Sequence, residues 1–453
     1  MLRRATRNQS HTAFLVALAI LAPRAVWAAG TPDIVAPITP APGAQGAGGG
    51  GLKLADAVQL VLTRNERARI SDLNVDIADA AVEKARAGFL PVLALNANDT
   101  QTAVLAAGQP RQVAAGNLVL TQPLVNASAY PLYSQAKALL EAQRAQNVDD
   151  KLTLAFNAAS GFFSVLSASA VVDAAQRQFE NAQANEADTQ ARAEAQLTSS
   201  NDVTRAKVDL AGSARELEAE KGTLANAYIQ LAFLLNVTLS GPLASPDATL
   251  ASSQAPPGPP DGLVKFALAR RPDVLVDKEA AIAAHHFAAE PMMRLIPTVG
   301  LQGTASGTTN APASTKSWNQ ETLAATLSWT LYDAGSRYAD KHSRDAQASI
   351  ADLNLQQLVR NVDAQVRSGV ALLTAAQAEF QVAAQARDAA RQNVDETAIL
   401  YRQGLAKAIE LVDANDSRFT AEVNYAVAQY SMAEAYLNLR QAMGLDPLGT
   451  ELK

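Results

Sequence analysis

The 453 residues are 48% hydrophobic and 18% charged, and their formal net charge is −6. This composition allows a large buried surface and argues against a basic nucleic-acid-binding protein, so we expect no nucleic acid partner. The chain has no cysteine, which excludes both a disulfide framework and a lipid-modified cysteine.

The first residues have the pattern of a secretory signal peptide. Three arginines precede a short apolar run, Ala13–Ala22, and small residues around Ala28 suit cleavage there. A membrane anchor is the alternative, but the run is about half of the roughly 20 residues that a spanning helix needs. We therefore expect residues 1–28 to be a signal peptide and no later segment to be apolar enough to span a membrane as a helix. Residues 29–51 are rich in Pro and Gly and predict an extended lead-in.

The rest of the chain reads as two copies of one unit. Pro91 recurs as Pro297, a spacing of 206, and Tyr228 recurs as Tyr436, a spacing of 208. Because the spacing is kept within two residues over such a distance, we infer a tandem duplication. We place the first repeat at 52–237, a Pro/Gly-rich linker at 238–262, the second repeat at 263–446 and a tail at 447–453.

Each repeat predicts a helix, an extended hairpin, a very long helix, a turn and another helix. In the first repeat, helices are expected at 54–87 and 131–195, and the hairpin at about 91–124. In the second repeat, the hairpin falls at about 297–331, and the long helix starts near Ser336. The long helix of the second repeat has no proline from Ser336 to Leu400 and has apolar residues three or four apart, which indicates one buried stripe.

The hairpins show the period-two pattern of strands with one apolar face. Five leucine and tryptophan positions are candidates for this face: Leu118, Leu120, Leu323, Leu327 and Trp329. A small soluble sheet would show the same pattern. A secreted protein without a spanning helix favours a membrane β-barrel instead. Two hairpins give four strands, whereas the smallest such barrels have about eight, so several copies must close the barrel together.

Five segments together resemble the TolC-like outer-membrane efflux proteins. They are Leu54–Asn65, Gly88–Pro91, Leu331–Gly335, Tyr401–Leu405 and Leu439–Leu445. The resemblance covers nearly all of the chain after the signal peptide. It implies a mainly α protein with a transmembrane β-barrel: a homotrimer with a 12-stranded barrel, a 12-helix α-barrel across the periplasm and an equatorial α/β belt near the linker.

The same resemblance implies the partners and the role. They are outer-membrane lipid, a periplasmic adaptor protein and an inner-membrane transporter, with this chain as the passive exit duct of a tripartite efflux pump. Small toxic compounds are the favoured cargo, and export of polypeptides or metal ions would use the same architecture. The alternative of a different class is a periplasmic coiled-coil scaffold or adaptor without a pore. We expect no enzymatic activity, no cofactor and no metal site.

The turns between the long helices and their partners match the periplasmic tip of the family. By resemblance, four residues would constrict the entrance or hold it shut: Asp202, Tyr401, Glu410 and Asp413. Four more would form the tip turns and contact the adaptor: Gln196, Gly404, Leu405 and Lys407. A basic residue that often ties the closed tip is here Ala406. Because Gln196 stands where the second turn has Gly404, we expect the first turn to differ in shape.

Overall fold

The computed structural model describes residues 51–103, 112–239, 241–308 and 319–449. The predicted signal peptide, nearly all of the lead-in, most of the tail and the ends of both hairpins lie outside this part. The first half contains α1 (Leu54–Arg64), α2 (Glu66–Arg86), β1 (Val92–Gln101), β2 (Gln112–Val125), α3 (Ala129–Glu194) and α4 (Ser200–Leu235). The second half contains α5 (Asp247–Ser253), α6 (Pro260–Arg270), α7 (Pro272–Met293), β3 (Thr298–Thr308), β4 (Asn319–Ser328), α8 (Ser336–Arg402) and α9 (Ala408–Ala442).

Two predicted boundaries need correction. The helix expected at 54–87 is broken at Asn65, whose side chain accepts a hydrogen bond from the Arg67 backbone N–H (2.9 Å) and caps α2. The segment 238–262 is also more than a linker, because it contains α5 and the start of α6. Leu250 in α5 is buried in an apolar cluster that combines residues of the first half of the chain with Ala433 and Leu437 of α9, so this segment belongs to the folded core.

The four strands form one antiparallel sheet in the order β1-β2-β3-β4. Residues directly opposite one another share a face, and side chains alternate along each strand. The register pairs Leu93 with Leu120, Leu120 with Gly303, and Gly303 with Leu323. This series defines a face of mostly apolar residues across all four strands. The opposite face is mostly small and polar, as in Asn96–Asn117 and Thr304–Thr322.

The helices lie side by side in an order that follows the order of the strands. Next to the sheet, the neighbours run α2, α3, α7 and α8, and each continues into or out of the strand of the same rank. Farther from the sheet, the neighbours run α4, α3, α9 and α8. The helices α3 and α8 have 66 and 67 residues, and at 1.5 Å per residue each spans roughly 100 Å.

Two pairs of shorter helices, α4 with α2 and α9 with α7, meet end to end, and the first pair runs alongside α3 and the second alongside both α3 and α8. At the α4–α2 joint, the Asn65 side-chain amide donates to the Leu234 carbonyl (2.7 Å), and Asn236 donates to Glu66 (3.0 Å). At the equivalent α9–α7 joint, Arg271 donates to the Ala442 carbonyl (3.1 Å). Each joint therefore satisfies helix-end carbonyls that would otherwise lack a partner.

The largest fully buried side chains of the described residues lie in the middle of α3, where Phe162 and Phe163 pack against α1, α4 and α9. This stretch corrects the expectation that no later segment is apolar enough to span a membrane. By length and composition, α3 passes that test, with an 18-residue window of mean hydropathy 1.5. Half of that window is buried inside the chain. Because other helices pack on both sides of α3, burial within the chain explains its apolar composition. The apolar window is therefore weak support for a membrane span.

Candidate functional site

The two turns at the end of the helical layer farthest from the sheet have the same backbone shape. Gln196 and Gly404 both adopt left-handed conformations, with φ of 61° and 73°. In both turns, the next residue, Leu197 or Leu405, donates its N–H to the carbonyl five positions earlier at 2.8 Å. This is the Schellman arrangement of helix ends. The expectation that the first turn differs in shape was therefore wrong, because Gln196 accepts the strained conformation.

Replacing Gln196 by glycine should stabilise this turn. A left-handed conformation costs a residue with a Cβ about 1–2 kcal/mol, part of which is offset by the greater freedom of glycine in the unfolded chain. We expect Gln196→Gly to raise the free energy of unfolding by up to about 1 kcal/mol. The reciprocal change, Gly404→Gln, should lower it by a similar amount. Urea unfolding of the two variants measures both, and a destabilised Gln196→Gly variant would contradict the prediction.

Two of the predicted pore carboxylates cap the helices that follow these turns. The Asp202 carboxylate accepts hydrogen bonds from the Ser199 N–H (3.2 Å) and hydroxyl (2.7 Å) and from the Thr198 hydroxyl (2.8 Å). These bonds hold its pKa below the usual value. At the equivalent place, Glu410 accepts from the Lys407 N–H (3.2 Å). Both acids therefore have a structural role as helix caps.

The third predicted carboxylate, Asp413, lies near Asp416 on α9, which in turn lies near Asp209 on α4. Asp413 is exposed, and in the described part of the chain its carboxylate accepts no hydrogen bond. Partial burial, and then the charge of Asp413, raise the pKa of Asp416, although the Gln178 side chain donates to Asp416 at 2.7 Å. Burial and the charge of Asp416 also raise the pKa of Asp209. Negative charge is thus concentrated a few turns from the tip.

Tyr401 connects the ends of the two longest helices. It is 7% exposed, and the Arg192 guanidinium at the end of α3 lies 4.5 Å from its ring centroid. The Tyr401 hydroxyl is buried and has no hydrogen-bond partner in the described residues. The connection is therefore a cation–π contact and apolar packing rather than a hydrogen bond.

The predicted tip residues are all accessible. Gln196, Gly404, Leu405 and Lys407 are exposed. Leu405 is 73% exposed, and Leu197 in the other turn is 76% exposed. Two apolar side chains at the same end of the molecule therefore remain available to a partner.

Sequence reasoning missed a charged bridge farther from the tip. Glu422 on α9 is 8% exposed and accepts hydrogen bonds from Arg177 on α3 (2.9 Å) and Arg391 on α8 (3.1 Å). Burial alone would raise the pKa of Glu422, but the two guanidinium groups outweigh it and lower the pKa. The signal in the sequence was a glutamate beside Ala421, on the buried stripe of the helix. A carboxylate on such a stripe needs a charged partner, which would have predicted the bridge.

Four of the five predicted lipid-facing residues share the apolar face of the sheet. Leu118 and Leu120 are 41% and 42% exposed, and Leu323 and Leu327 are 80% and 67% exposed. Trp329 needs correction, because β4 ends at Ser328. The Trp329 indole N–H donates to the Leu295 carbonyl (3.0 Å) at the junction of sheet and helices.

Other aromatic side chains lie at this junction. Phe89 packs against Tyr130 with ring centroids 4.8 Å apart, and Tyr332, just after β4, is 85% exposed. Aromatic residues that flank an apolar band are typical of the membrane–water interface of β-barrels. The sheet thus has the features of a membrane segment with the helices on its aqueous side.

Comparison with protein families identifies the second half of the chain. Residues 263–445 match the family described as Outer membrane efflux protein. This match confirms the predicted family resemblance and outer-membrane location, and it supports an outer-membrane efflux duct. The comparison with curated proteins gave no match.

Solved channel structures share the fold over most of the chain. The CusC structure, described in connection with transmembrane channel formation, is 18% identical and has a TM-score of 0.77 over 91% of this chain and 99% of CusC. The outer membrane protein VceC of Vibrio cholerae is 16% identical, with a TM-score of 0.73 over 87% and 96%. The Campylobacter jejuni CmeC outer membrane channel is 14% identical, with a TM-score of 0.73 over 86% and 85%. The predicted mainly helical fold with an antiparallel sheet is confirmed, whereas the number of copies in the barrel stays a prediction.

Proposed function

We propose that this efflux protein acts as a homotrimeric, passive exit duct of a tripartite pump, closed at its helical tip. The proposal depends on one observation: the edge strands of the sheet and the outermost helices lie on the same two sides of the chain. One side consists of β1, α2 and α4, and the other consists of β4 and α8. In the described residues, neither edge strand has a second partner within the chain.

The open helical edges carry exposed apolar side chains. On the first side, Ile77 of α2 is 68% exposed and Phe233 of α4 is 83% exposed. On the second side, Leu353 and Val382 of α8 are 60% and 65% exposed. Contacts between unlike sides of successive copies form a closed ring. This ring pairs every strand edge and buries both apolar edges, as a membrane barrel requires. The number of three copies comes from the resemblance to the TolC-like family.

The sheet faces and the tip support the transport role. In a closed ring, the apolar face of the sheet contacts lipid and the polar face lines a water-filled passage. At the other end, Tyr401 and Arg192 hold α8 against α3, which supports a closed resting tip. The exposed turns around Leu197 and Leu405 are the proposed docking site for the periplasmic adaptor, which connects the duct to an inner-membrane transporter.

The cargo is proposed to be small toxic compounds, and polypeptides or metal ions are the alternatives within this architecture. The duct has no energy source of its own, and the partner supplies the energy. A non-pore scaffold is the alternative of a different class. The apolar face of the sheet argues against a scaffold. Leu323 is 80% exposed, and a water-soluble protein would have to leave this apolar face in contact with water.

Planar-bilayer recording on the detergent-extracted protein, with its mass measured in parallel, tests the proposal. A trimer with small, cation-preferring currents is the expected result, because repeated carboxylates near a constriction favour cations. A water-soluble monomer without conductance would leave the chain as a scaffold and contradict the duct.

Asp413 should contribute more than Glu410 to block of the channel by divalent cations. The Glu410 carboxylate is engaged as a cap, whereas Asp413 is exposed and free to bind an ion. We expect Asp413→Ala to weaken divalent block at least threefold and Glu410→Gln to change it less. Block curves from single-channel recordings provide the measurement. Equal block of Asp413→Ala and the unaltered channel would place Asp413 outside the ion path.

A further inference from the structure

A cavity near the tip is not explained by the proposed duct. It has a volume of about 360 Å³ and lies between α3, α4 and α9. Its walls are mainly apolar, with Ala206 and Val208 from α4 and Ile409 and Val412 from α9. This volume falls within the range of small-molecule sites, roughly 300–1,000 Å³.

Two buried polar side chains on α3 line the cavity without partners. Asn185 is 7% exposed and Thr189 is 0% exposed. The Asn185 side-chain oxygen and the Thr189 hydroxyl have no hydrogen-bond partner in the described part of the chain. Buried polar atoms are rarely left unpaired, because desolvation without a new hydrogen bond costs free energy. Helix–helix packing alone favours alanine or valine at such positions, as at Ala182 one turn earlier.

The charges around the cavity favour a cation. The Asp202 carboxylate is engaged by its own turn, whereas Asp209 at the wall is partly buried and its pKa is raised by that burial and by Asp416. A bound cation would offset both the burial and the repulsion. Arg205 is the basic residue in the described cavity wall, and it is exposed to solvent.

We propose that this cavity binds a small amphipathic amine, with its apolar body between α4 and α9 and its ammonium group donating to Asn185 and Thr189. Such a ligand contacts all three helices. Binding would therefore hold the α3–α4 pair against α9 near the tip. The inference goes beyond the proposed transport role, because a ligand site in the helix wall is separate from cargo passing through the duct.

Photolabelling tests the proposal on the full-length protein in lipid nanodiscs. The probe is a benzylamine that carries a trifluoromethyl diazirine on its ring. Its neutral control has a methyl group in place of the aminomethyl group. Mass spectrometry of peptides locates the label. We expect labelling within 185–209 and 408–412, and we expect excess benzylamine to compete with it.

Variants separate a ligand site from a structural gap. Val412→Trp fills the cavity and should lower labelling by the amine at least tenfold, whereas Val427→Trp on the same helix, outside the cavity, should not change it. Thr189→Val and Asn185→Leu each remove one hydrogen-bond partner. Each should lower labelling by the amine about fivefold and leave labelling by the neutral probe unchanged.

Stability distinguishes a binding role from a packing role. If the polar groups serve a ligand, Thr189→Val should raise or keep the unfolding temperature of the ligand-free protein while it weakens labelling. Three results would overturn the proposal: labelling that Val412→Trp leaves unchanged, equal loss of both probes in Thr189→Val, or no labelling of these helices. The last result would be obtained if a second copy or a partner helix filled the cavity. None of the three would affect the conductance test of the duct.

Discussion

Replacing Leu323 by arginine is expected to prevent assembly of the channel in the outer membrane. Leu323 lies in the middle of β4, on the apolar face, and is 80% exposed within one chain. An arginine near the middle of the lipid-facing side of a barrel costs about 2–4 kcal/mol. Since each 1.4 kcal/mol corresponds to a factor of ten, the ratio of folded to unfolded protein should fall at least tenfold for each copy of the chain. Fractionation of membranes and urea titration of protein refolded into lipid vesicles provide the measurements.

The neighbouring residue supplies a matched control. Thr322 precedes Leu323 and lies on the polar face, opposite Thr304. Thr322→Arg adds the same charge at nearly the same depth but points it toward the proposed water-filled interior. This variant should fold to normal levels and alter only the conductance. Similar yields of Leu323→Arg and Thr322→Arg would mean that the two faces of the sheet meet the same environment, and the barrel proposal would fail.

Truncating Tyr401 should open the tip. Its ring is buried between the ends of α3 and α8 and lies against the Arg192 guanidinium. Tyr401→Ala removes this contact and leaves a cavity, a change that costs several kcal/mol at a buried aromatic position. We expect single-channel conductance to rise severalfold, because the two helix ends lose the side chain that joins them. Planar-bilayer recording at fixed ionic strength measures the change.

Tyr401→Phe distinguishes cation–π stacking from hydrogen bonding in the contact between Tyr401 and Arg192. The Tyr401 hydroxyl has no partner in the described residues, so its removal should leave conductance unchanged and stability equal or slightly higher. Arg192→Gln, which keeps a side chain but removes the charge over the ring, should give an intermediate conductance. An open channel in Tyr401→Phe would show that the hydroxyl forms a bond in the assembled protein, and the interpretation as cation–π stacking would then be wrong.

The architecture could be predicted because it rests on periodicity and repetition. The apolar stripe containing Val362 and Val366 indicated the long helix α8, and both residues are fully buried. The alternation through Leu323 and Leu327 indicated the strand β4 and its apolar face. Such patterns are readable in the sequence because a helix or strand has to keep one apolar face along its whole length.

The side-chain contacts of the tip could not be predicted in the same way. The pairing of Arg192 with Tyr401 joins residues more than 200 positions apart, and no periodic signal records which side chains meet. Asp202 and Glu410 stay predicted pore residues by resemblance to the family, and the structure adds their role as helix caps. Their capping bonds are local, and the spacing of Ser199 and Asp202 was a signal of the capping box that the family interpretation overlooked.

The matching order of strands and helices has a geometric consequence for the complete ring. Every copy contributes four strands and four helices to each circumference, but neighbouring strands are about 4.8 Å apart and packed helices about 8–10 Å apart. With equal numbers, the helical tube has the larger circumference unless the strands tilt steeply. The difference must be absorbed where strand meets helix. Backbone irregularities lie at such junctions: the register shift at Pro123/Val125 and the left-handed pair Ala334 and Gly335. In the proposed ring, these residues are therefore where the diameter changes between the strand barrel and the helical tube.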